Sequence, residues 1–447
     1  MIDKGTFTNK RLSEVILELE KSPNKDEFQL FGIDFWPIVR LHFFFNITRN
    51  NYKNITKPNN NNLQKNNNIK KLVNLGEADL FVTHRNYFIN IDGKITDRVL
   101  GKIISDSRNP IILDLSDYSF HSNHIGNKID SIKYQVLSLK VLSYLSPFIL
   151  FPIFIFFFSK IRVLNKSFKE KHFNFKYALE LVRKIFFVYY LSLYSSRLFK
   201  QYNIKSIYQS MYYDNFGLGS TLAADNLGIT SHCVQHGGQS RNNPIFGKWS
   251  NIPVYGYQFL PDIFLCWDDI STESINEWAK NTEKHETKII GYGWIETWKN
   301  SKYKNNIETK KNELLTILVT LQPSVDFLRS FLFEFIKNNH DGISWLLRVH
   351  PRQNNQEYIV ALREEFSGVS NLTVESSETP LPEMLEISDL HLTFFSSSVY
   401  EAKYLNVPSI IVDKRGLDYF ETLVDHGFAT YAEDKNALYE TIKNFLE

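Results

Sequence analysis

Arg348-Val349-His350-Pro351-Arg352 closes the apolar run Ile343 to Val349, and Ser396-Ser397-Ser398-Val399-Tyr400-Glu401 closes a second run, Leu390 to Phe394. In each case a helix is expected to begin at once. Two such joints place a His, two Arg and three hydroxyls at the carboxyl edge of a parallel sheet, where open α/β sheets bind ligands. Pro351 fixes φ and ends its strand, which holds the imidazole at that edge. Ser is a preferred N-cap, yet three in a row exceed what capping needs. The combination reads as a seat for a phosphorylated ligand. Glu401, on the first turn of the second helix, suits either the helix dipole or a hydroxyl-bearing ligand.

Outward from these joints, strands and helices alternate along most of the chain. Strands are expected at 314–321, 343–349, 372–375, 390–394 and 409–412. Helices fill 324–339, 355–366, 381–387, 398–405 and 435–446. Upstream, strands are expected at 78–83, 111–114, 206–211, 230–235, 263–267 and 288–290, with helices at 219–226 and 271–280. This alternation predicts an α/β protein with parallel sheets wrapped on both faces. We expect a helical N-terminal extension over 1–72 carrying an Asn-rich linker, a Rossmann-like domain over 73–299, and a second over 312–447. The first contains an apolar helical insertion at 132–200, and the charged linker Asn300 to Asn312 joins the two. Their sheets should face each other across a cleft.

The first domain brings its own strand ends to that cleft. His236-Gly237-Gly238 follows one strand; the glycines allow close backbone approach, and His236 is a candidate general base. Gln209 to Asp214, with Gly217 and Gly219 behind, ends the neighbouring strand. Asp214 is a second candidate base, or the cap of the helix that follows. Gln209 and the four glycines would form the acceptor-side loops, and Gln322, after the first strand of the second domain, would lie near the ligand.

The 447 residues carry 51 Lys+Arg against 49 Asp+Glu, a formal net charge of +2 that gives nucleic acid no electrostatic footprint. Two cysteines, Cys233 and Cys266, exclude a disulfide framework and fit a reducing compartment. The polar stretch from Met1 to Lys25 has no apolar leader core, so a cytoplasmic protein is expected. No Asp-x-Asp pair, phosphate-loop motif or metal-ligand spacing occurs, and neither metal nor cofactor is expected. Between Lys140 and Lys160 the residues are uncharged and largely aromatic or aliphatic, with Pro147 and Pro152 inside; Lys160, Arg162, Lys166, Lys169 and Lys171 follow. Segment 141–171 is therefore expected to attach peripherally to the inner face of the cell membrane.

The order His236-Gly237, Arg348-x-His350-Pro351, Ser396-Ser397-Ser398 resembles a group of bacterial surface-glycan enzymes. They are the sialyltransferases with His-Pro and Ser-Ser motifs, the Kdo transferases of capsule assembly, and the CDP-glycerol glycerophosphotransferases. The resemblance spans residues 200 to 415. It implies a GT-B glycosyltransferase that takes a cytidine-activated donor, with His350, Ser396 and Ser397 on the donor phosphate. Arg348, Arg352, Ser398 and Glu401 would complete the donor site. The partners implied are a nucleotide-sugar donor and a glycan or lipid-linked glycan acceptor. The chain departs from these families in places. Asp268-Asp269 is followed by Ile270 where the sialyltransferases have a glycine, and Gly238-Gln239-Ser240-Arg241 follows His236-Gly237 where the glycerophosphotransferases have Thr-Pro. A UDP-sugar transferase or UDP-sugar 2-epimerase of the same fold, and a non-catalytic subunit of a polysaccharide assembly complex, are the alternative readings.

Overall fold

A computed structural model describes residues 9–21, 28–49, 76–91, 93–122, 128–168, 175–300, 314–323, 325–339 and 341–446. The Asn-rich stretch and, apart from Asn300, the charged linker lie outside the described residues. Helices α1 (Asn9–Lys21) and α2 (Trp36–Arg49) flank a small hairpin of β1 (Gln29–Leu30) and β2 (Ile33–Asp34). Asp34 Oδ1 accepts the Trp36 amide at 2.9 Å, which starts α2 with Pro37 in its first turn.

The chain then enters β3 (Ala78–Thr83), a hairpin of β4 (Phe88–Ile91) and β5 (Lys94–Asp97), α3 (Gly101–Asp106), β6 (Pro110–Asp114), β7 (Ser119–Ser122) and β8 (Lys128–Ser131). Three long helices follow: α4 (Lys133–Ile149), α5 (Phe151–Phe168) and α6 (Phe175–Gln201). Next come β9 (Ile204–Gln209), α7 (Asn215–Leu227), β10 (Thr230–Val234), β11 (Ile263–Cys266), α8 (Asp269–Ala279), β12 (Glu286–Ile289) and α9 (Gly293–Lys299). Eight strands form one sheet in the order β12-β11-β10-β9-β3-β6-β7-β8. From β12 to β6 it is parallel, but β7 and β8 pair antiparallel, where parallel strands throughout were expected. The connection Leu115 to Tyr118 is too short for a crossover, so β7 can only fold straight back on β6.

The second unit runs β13 (Leu315–Thr320), α10 (Phe331–Asn338), β14 (Ile343–Arg348), α11 (Gln356–Glu365), β15 (Leu372–Glu375), α12 (Leu381–Glu386) and β16 (Leu390–Thr393). It continues through α13 (Ser398–Tyr404), β17 (Ser409–Ile411), α14 (Lys414–Asp425), β18 (Ala429–Tyr431) and α15 (Lys435–Leu446). All six strands are parallel, in the order β15-β14-β13-β16-β17-β18. The molecule is thus an α/β protein of two Rossmann-like domains, the GT-B arrangement expected. Each sheet reverses its strand order beside its first parallel strand, β3 in one and β13 in the other, and ligands of open sheets bind at such switch points.

The helical insertion packs through α6, whose buried face (Leu181, Ile185, Val188, Leu191) meets α7. Gly219 permits the close crossing: a Cβ there would lie 2.7 Å from Leu191 Cβ and 3.0 Å from Val188 O. Gly219→Ala is expected to lower stability by about 1–3 kcal/mol in urea unfolding, the usual penalty for overpacking. Gly237→Ala, whose nearest neighbour would be 3.5 Å away, should unfold like the unaltered protein.

Candidate functional site

At the C-terminal switch point Thr320 and Thr393 are register partners on β13 and β16. Thr320 Oγ1 donates to Thr393 Oγ1 at 2.8 Å and lies 3.0 Å from His391 Nε2 and 3.1 Å from Ser398 Oγ. His391 Nδ1 lies 2.9 Å from Ser409 Oγ, and burial pushes this histidine down to about 3. The network fixes where α13 begins, and it divides the three serines. Ser398 is buried within it, Ser396 Oγ accepts the Ser398 amide at 3.3 Å, and Ser397 stands exposed.

At the end of β14, Arg348 turns back along its own domain and donates to Ser377 O and Thr379 O, both at 3.0 Å. Burial lowers it to about 10, so it remains a cation bracing the loop after β15. His350 Nδ1 accepts the Arg352 amide at 3.0 Å, which puts the ring proton on Nε2. Burial first, then Arg352, Arg348 and Arg98, bring His350 to about 4. It is therefore a neutral N–H donor at neutral pH. Arg352 is exposed, and Gln322 is buried in the loop after β13.

The N-terminal switch point lies between β3 and β9. His84, directly after β3, places Nε2 3.2 Å from Asp214 Oδ2, and both side chains are about one-quarter exposed. Asp214 also caps α7, its Oδ1 accepting the Gly217 amide at 2.6 Å. Of the two roles open to Asp214 from sequence, the helix cap is taken by Oδ1, while Oδ2 faces His84. One strand over, Gln235 anchors the turn after β10: its amide donates to Gly237 O at 3.1 Å and its carbonyl accepts the Trp267 amide at 2.8 Å. His236 Nε2 lies 3.1 Å from Tyr213 OH, with the Tyr87 ring at 5.7 Å. Burial, then Arg98 and His84, lower His236 to about 4.

These edges meet. A Cβ on Gly237 would lie 3.5 Å from Ser397 Oγ, and one on Gly238 3.4 Å from the Tyr400 and Phe420 rings. Glu401 accepts from Tyr292 OH at 3.1 Å, Lys403 pairs with Asp268, and Tyr404 OH donates to Trp267 O at 2.5 Å. Glu401 is thus engaged between the domains, and burial raises its carboxyl. Gln209 is buried beneath α7, bonded to Thr221 and Ser220 at 2.8 and 2.9 Å, and Gly217 and Gly219 serve the packing of that helix. These three stand away from the cleft.

Two residues the sequence reading did not assign stand at the cleft. His84 was visible at a strand end, but its partner is far along the chain. Arg98, after β5, is exposed; its charge acts on His236, His350, Arg348 and Glu401. Among the described residues no carboxylate pairs with it. Beside it opens a cavity of about 410 Å³ lined by Trp267, Tyr292, Trp294, Tyr208 and Lys102. The arrangement offers a carboxylate–imidazole pair on one side of the cleft, and a neutral imidazole, a free hydroxyl and guanidinium groups on the other. Among the described residues, no group of three or more His, Cys, Asp or Glu forms a metal site.

No protein-family model matches the chain, and no curated protein matches its sequence. Solved structures align with parts of it at low identity. The UDP complex of MnaA from S. aureus is 10% identical with a TM-score of 0.46, over 83% of this chain and 88% of that one. The UDP-GlcNAc 2-epimerase from Neisseria meningitidis bound to UDP-GlcNAc is 11% identical with a TM-score of 0.46, over 83% and 91%. MurG from Acinetobacter baumannii is 14% identical with a TM-score of 0.40, over 59% and 70%.

His285 and His391 are the most buried of the depressed histidines, held at about 4 and about 3. Their folded values lie below the unfolded one of about 6.5, so their stabilising contribution is present above that value and is lost as pH falls through it. Urea unfolding at pH 7 and pH 5 is expected to differ by about 2 kcal/mol for each of these two sites, less stable at pH 5. A flat profile would mean that these rings are solvated.

Proposed function

We propose that the protein is a glycosyltransferase that moves a sugar from a nucleotide-activated donor to a glycan or lipid-linked glycan at a membrane surface. The observation that supports this reading is the close approach of the loop after β10 to the start of α13: a Cβ added at Gly237 would lie 3.5 Å from Ser397 Oγ. The donor phosphate would take the Nε2–H of His350 and the Ser397 hydroxyl, with Arg98 and Arg352 offsetting its charge. Asp214 Oδ2 would hold His84 by Nε2, leaving Nδ1 to remove the proton of the acceptor hydroxyl. His236 is already bonded to Tyr213, and burial depresses it to about 4, which makes it a poor base.

The cytidine base rests on the motif resemblance alone, and the uridine donors of the alternative reading stand beside it. A UDP-sugar 2-epimerase would use the same cleft without an acceptor. Thermal shifts with CMP, CDP, UMP, UDP and GDP separate the bases, because a ligand bound only by the folded state raises its apparent stability. Silence across the panel would favour a non-catalytic subunit.

His350→Ala is expected to weaken the nucleotide shift and to lower transfer to a membrane-extract acceptor by at least about tenfold. His84→Gln should keep the nucleotide shift and lose about 10²- to 10⁴-fold in transfer, the usual contribution of a general base. A fully active His84→Gln enzyme would remove His84 from that role. A UDP-sugar converted to its epimer without acceptor would replace transfer by epimerisation.

A further inference from the structure

Helices α4 and α5 meet at 84°, and neither alone is long and apolar enough to cross a membrane. Their inner faces are spoken for. Val136, Ser143, Ser146 and Pro147 on α4, and Phe154, Phe157 and Ile161 on α5, are buried. Ser146 Oγ lies 2.6 Å from Tyr190 OH of α6, and Arg183 of α6 stacks on Tyr144 at 4.9 Å. The outer faces are the reverse of what a water-facing helix presents. Val141 is 61% exposed, Leu145 51%, Phe148 72%, Ile149 65%, Phe151 57% and Ile155 45%. Along α4 the apolar positions recur at helical spacing and run onto the bend, so they form one ridge and not scattered residues. A contiguous apolar surface of this kind marks an interaction site.

Charge identifies the occupant. From Ser131 to Lys169 the sequence contains no Asp or Glu, while Lys133, Lys140, Lys160, Arg162, Lys166 and Lys169 are basic. An apolar ridge set among cations alone complements a surface that is apolar within and anionic at its face. A second copy of this chain would bring the same cations against themselves. We propose that the α4–α5 elbow inserts into the interfacial layer of an anionic lipid bilayer, with Phe148, Ile149 and Phe151 at its tip.

The elbow is tied to the cleft through α6. Arg183, stacked on Tyr144, is followed by Lys184, whose ammonium burial lowers to about 8 and Asp214 raises in turn. The helix that carries these elbow contacts also packs on α7, which Asp214 caps. The proposal rests on the function proposed above only for the acceptor that this placement would serve; lipid binding itself does not need it.

The test is sedimentation of the full chain with vesicles of phosphatidylcholine alone and of phosphatidylcholine with phosphatidylglycerol. Binding to the anionic vesicles is expected, weakening as salt is raised. Phe148→Glu with Phe151→Glu should abolish it, and Lys160→Glu with Arg162→Glu should weaken it at least about tenfold. Unchanged urea unfolding would show that each variant is folded. No binding to either vesicle, equal salt-independent binding to both, or a dimer in solution that Phe148→Glu dissociates would each overturn the proposal. Vesicle binding with no response to any nucleotide would support the elbow and count against the donor site.

Discussion

The buried pair Glu20–Arg40 is the interaction on which the cleft depends. Glu20 also accepts from Trp36 Nε1 at 3.0 Å and from both the amide and hydroxyl of Ser250 at 2.8 Å. Arg40 donates to Gly247 O at 2.8 Å, to Pro244 O at 3.1 Å and to Lys248 O at 3.2 Å, and lies 4.0 Å over the Trp249 ring. Two charges out of water are tolerated only when nearly every lone pair and proton has a partner, as here. What they secure is the long irregular segment from Gln235 to Asp262, between β10 and β11. Such a segment has few ladder bonds of its own and must find partners elsewhere. It finds them in α1 and α2, in Tyr212, whose hydroxyl donates to Ile245 O, and in Trp278 Nε1, bonded to Phe246 O at 2.7 Å. Asn242 then passes the connection to α14 through Glu421 Oε2 at 2.6 Å. The N-terminal helices are the buttress of the loop that carries His236, Gly237 and Gly238.

Most parallel strands were legible because they are apolar runs bounded by a breaker and separated by helices of ordinary length; β18, Ala-Thr-Tyr, is too short for such a run and was not expected. The elements that escaped are those whose side chains do not advertise a face. β7 and β8 read Ser-Phe-His-Ser and Lys-Ile-Asp-Ser, each with a single apolar residue, too few to show a pattern. α14 has Gly416 in its first turn, where a Cβ would strike Phe394 O, and a non-helical Phe420 within it. Local motifs marked two strand ends of the site, His350 and the serine run. Which serine faces outward could not be read, since that depends on a hydroxyl–imidazole network assembled from four separate segments. His84 with Asp214 was equally hidden: strand order, and not spacing, makes them neighbours. Gln209 was expected in the acceptor-side loops with Asp214 beside it, yet Gln209 bonds Thr221 and Ser220 under α7 and only Asp214 reaches the edge.

Electrostatically the cleft is asymmetric. On the C-terminal side burial, aided by the neighbouring arginines, keeps His350 uncharged, so its contribution is a directed N–H and the net charge comes from the guanidinium groups. On the N-terminal side the one-quarter-exposed carboxylate of Asp214 fixes an imidazole. Arg98, carried by the β4–β5 hairpin, belongs to the first domain yet acts on residues of the second. A charge placed so is sensitive to how far apart the domains stand, and bringing catalytic groups together by closure is a common device of two-domain enzymes.

The contact between the domains has one more property. Trp267 stacks on Tyr292 at 3.9 Å, and the Tyr400 ring of the second domain meets it edge-on at 5.5 Å. Its backbone carbonyl takes the Tyr404 hydroxyl, and Tyr292 itself holds Glu401. Separation of the domains strips the second-domain tyrosine from one side of an indole while the first-domain tyrosine stays. Any parting of the two halves would thus be written in the emission colour of Trp267, one of the chain's seven tryptophans.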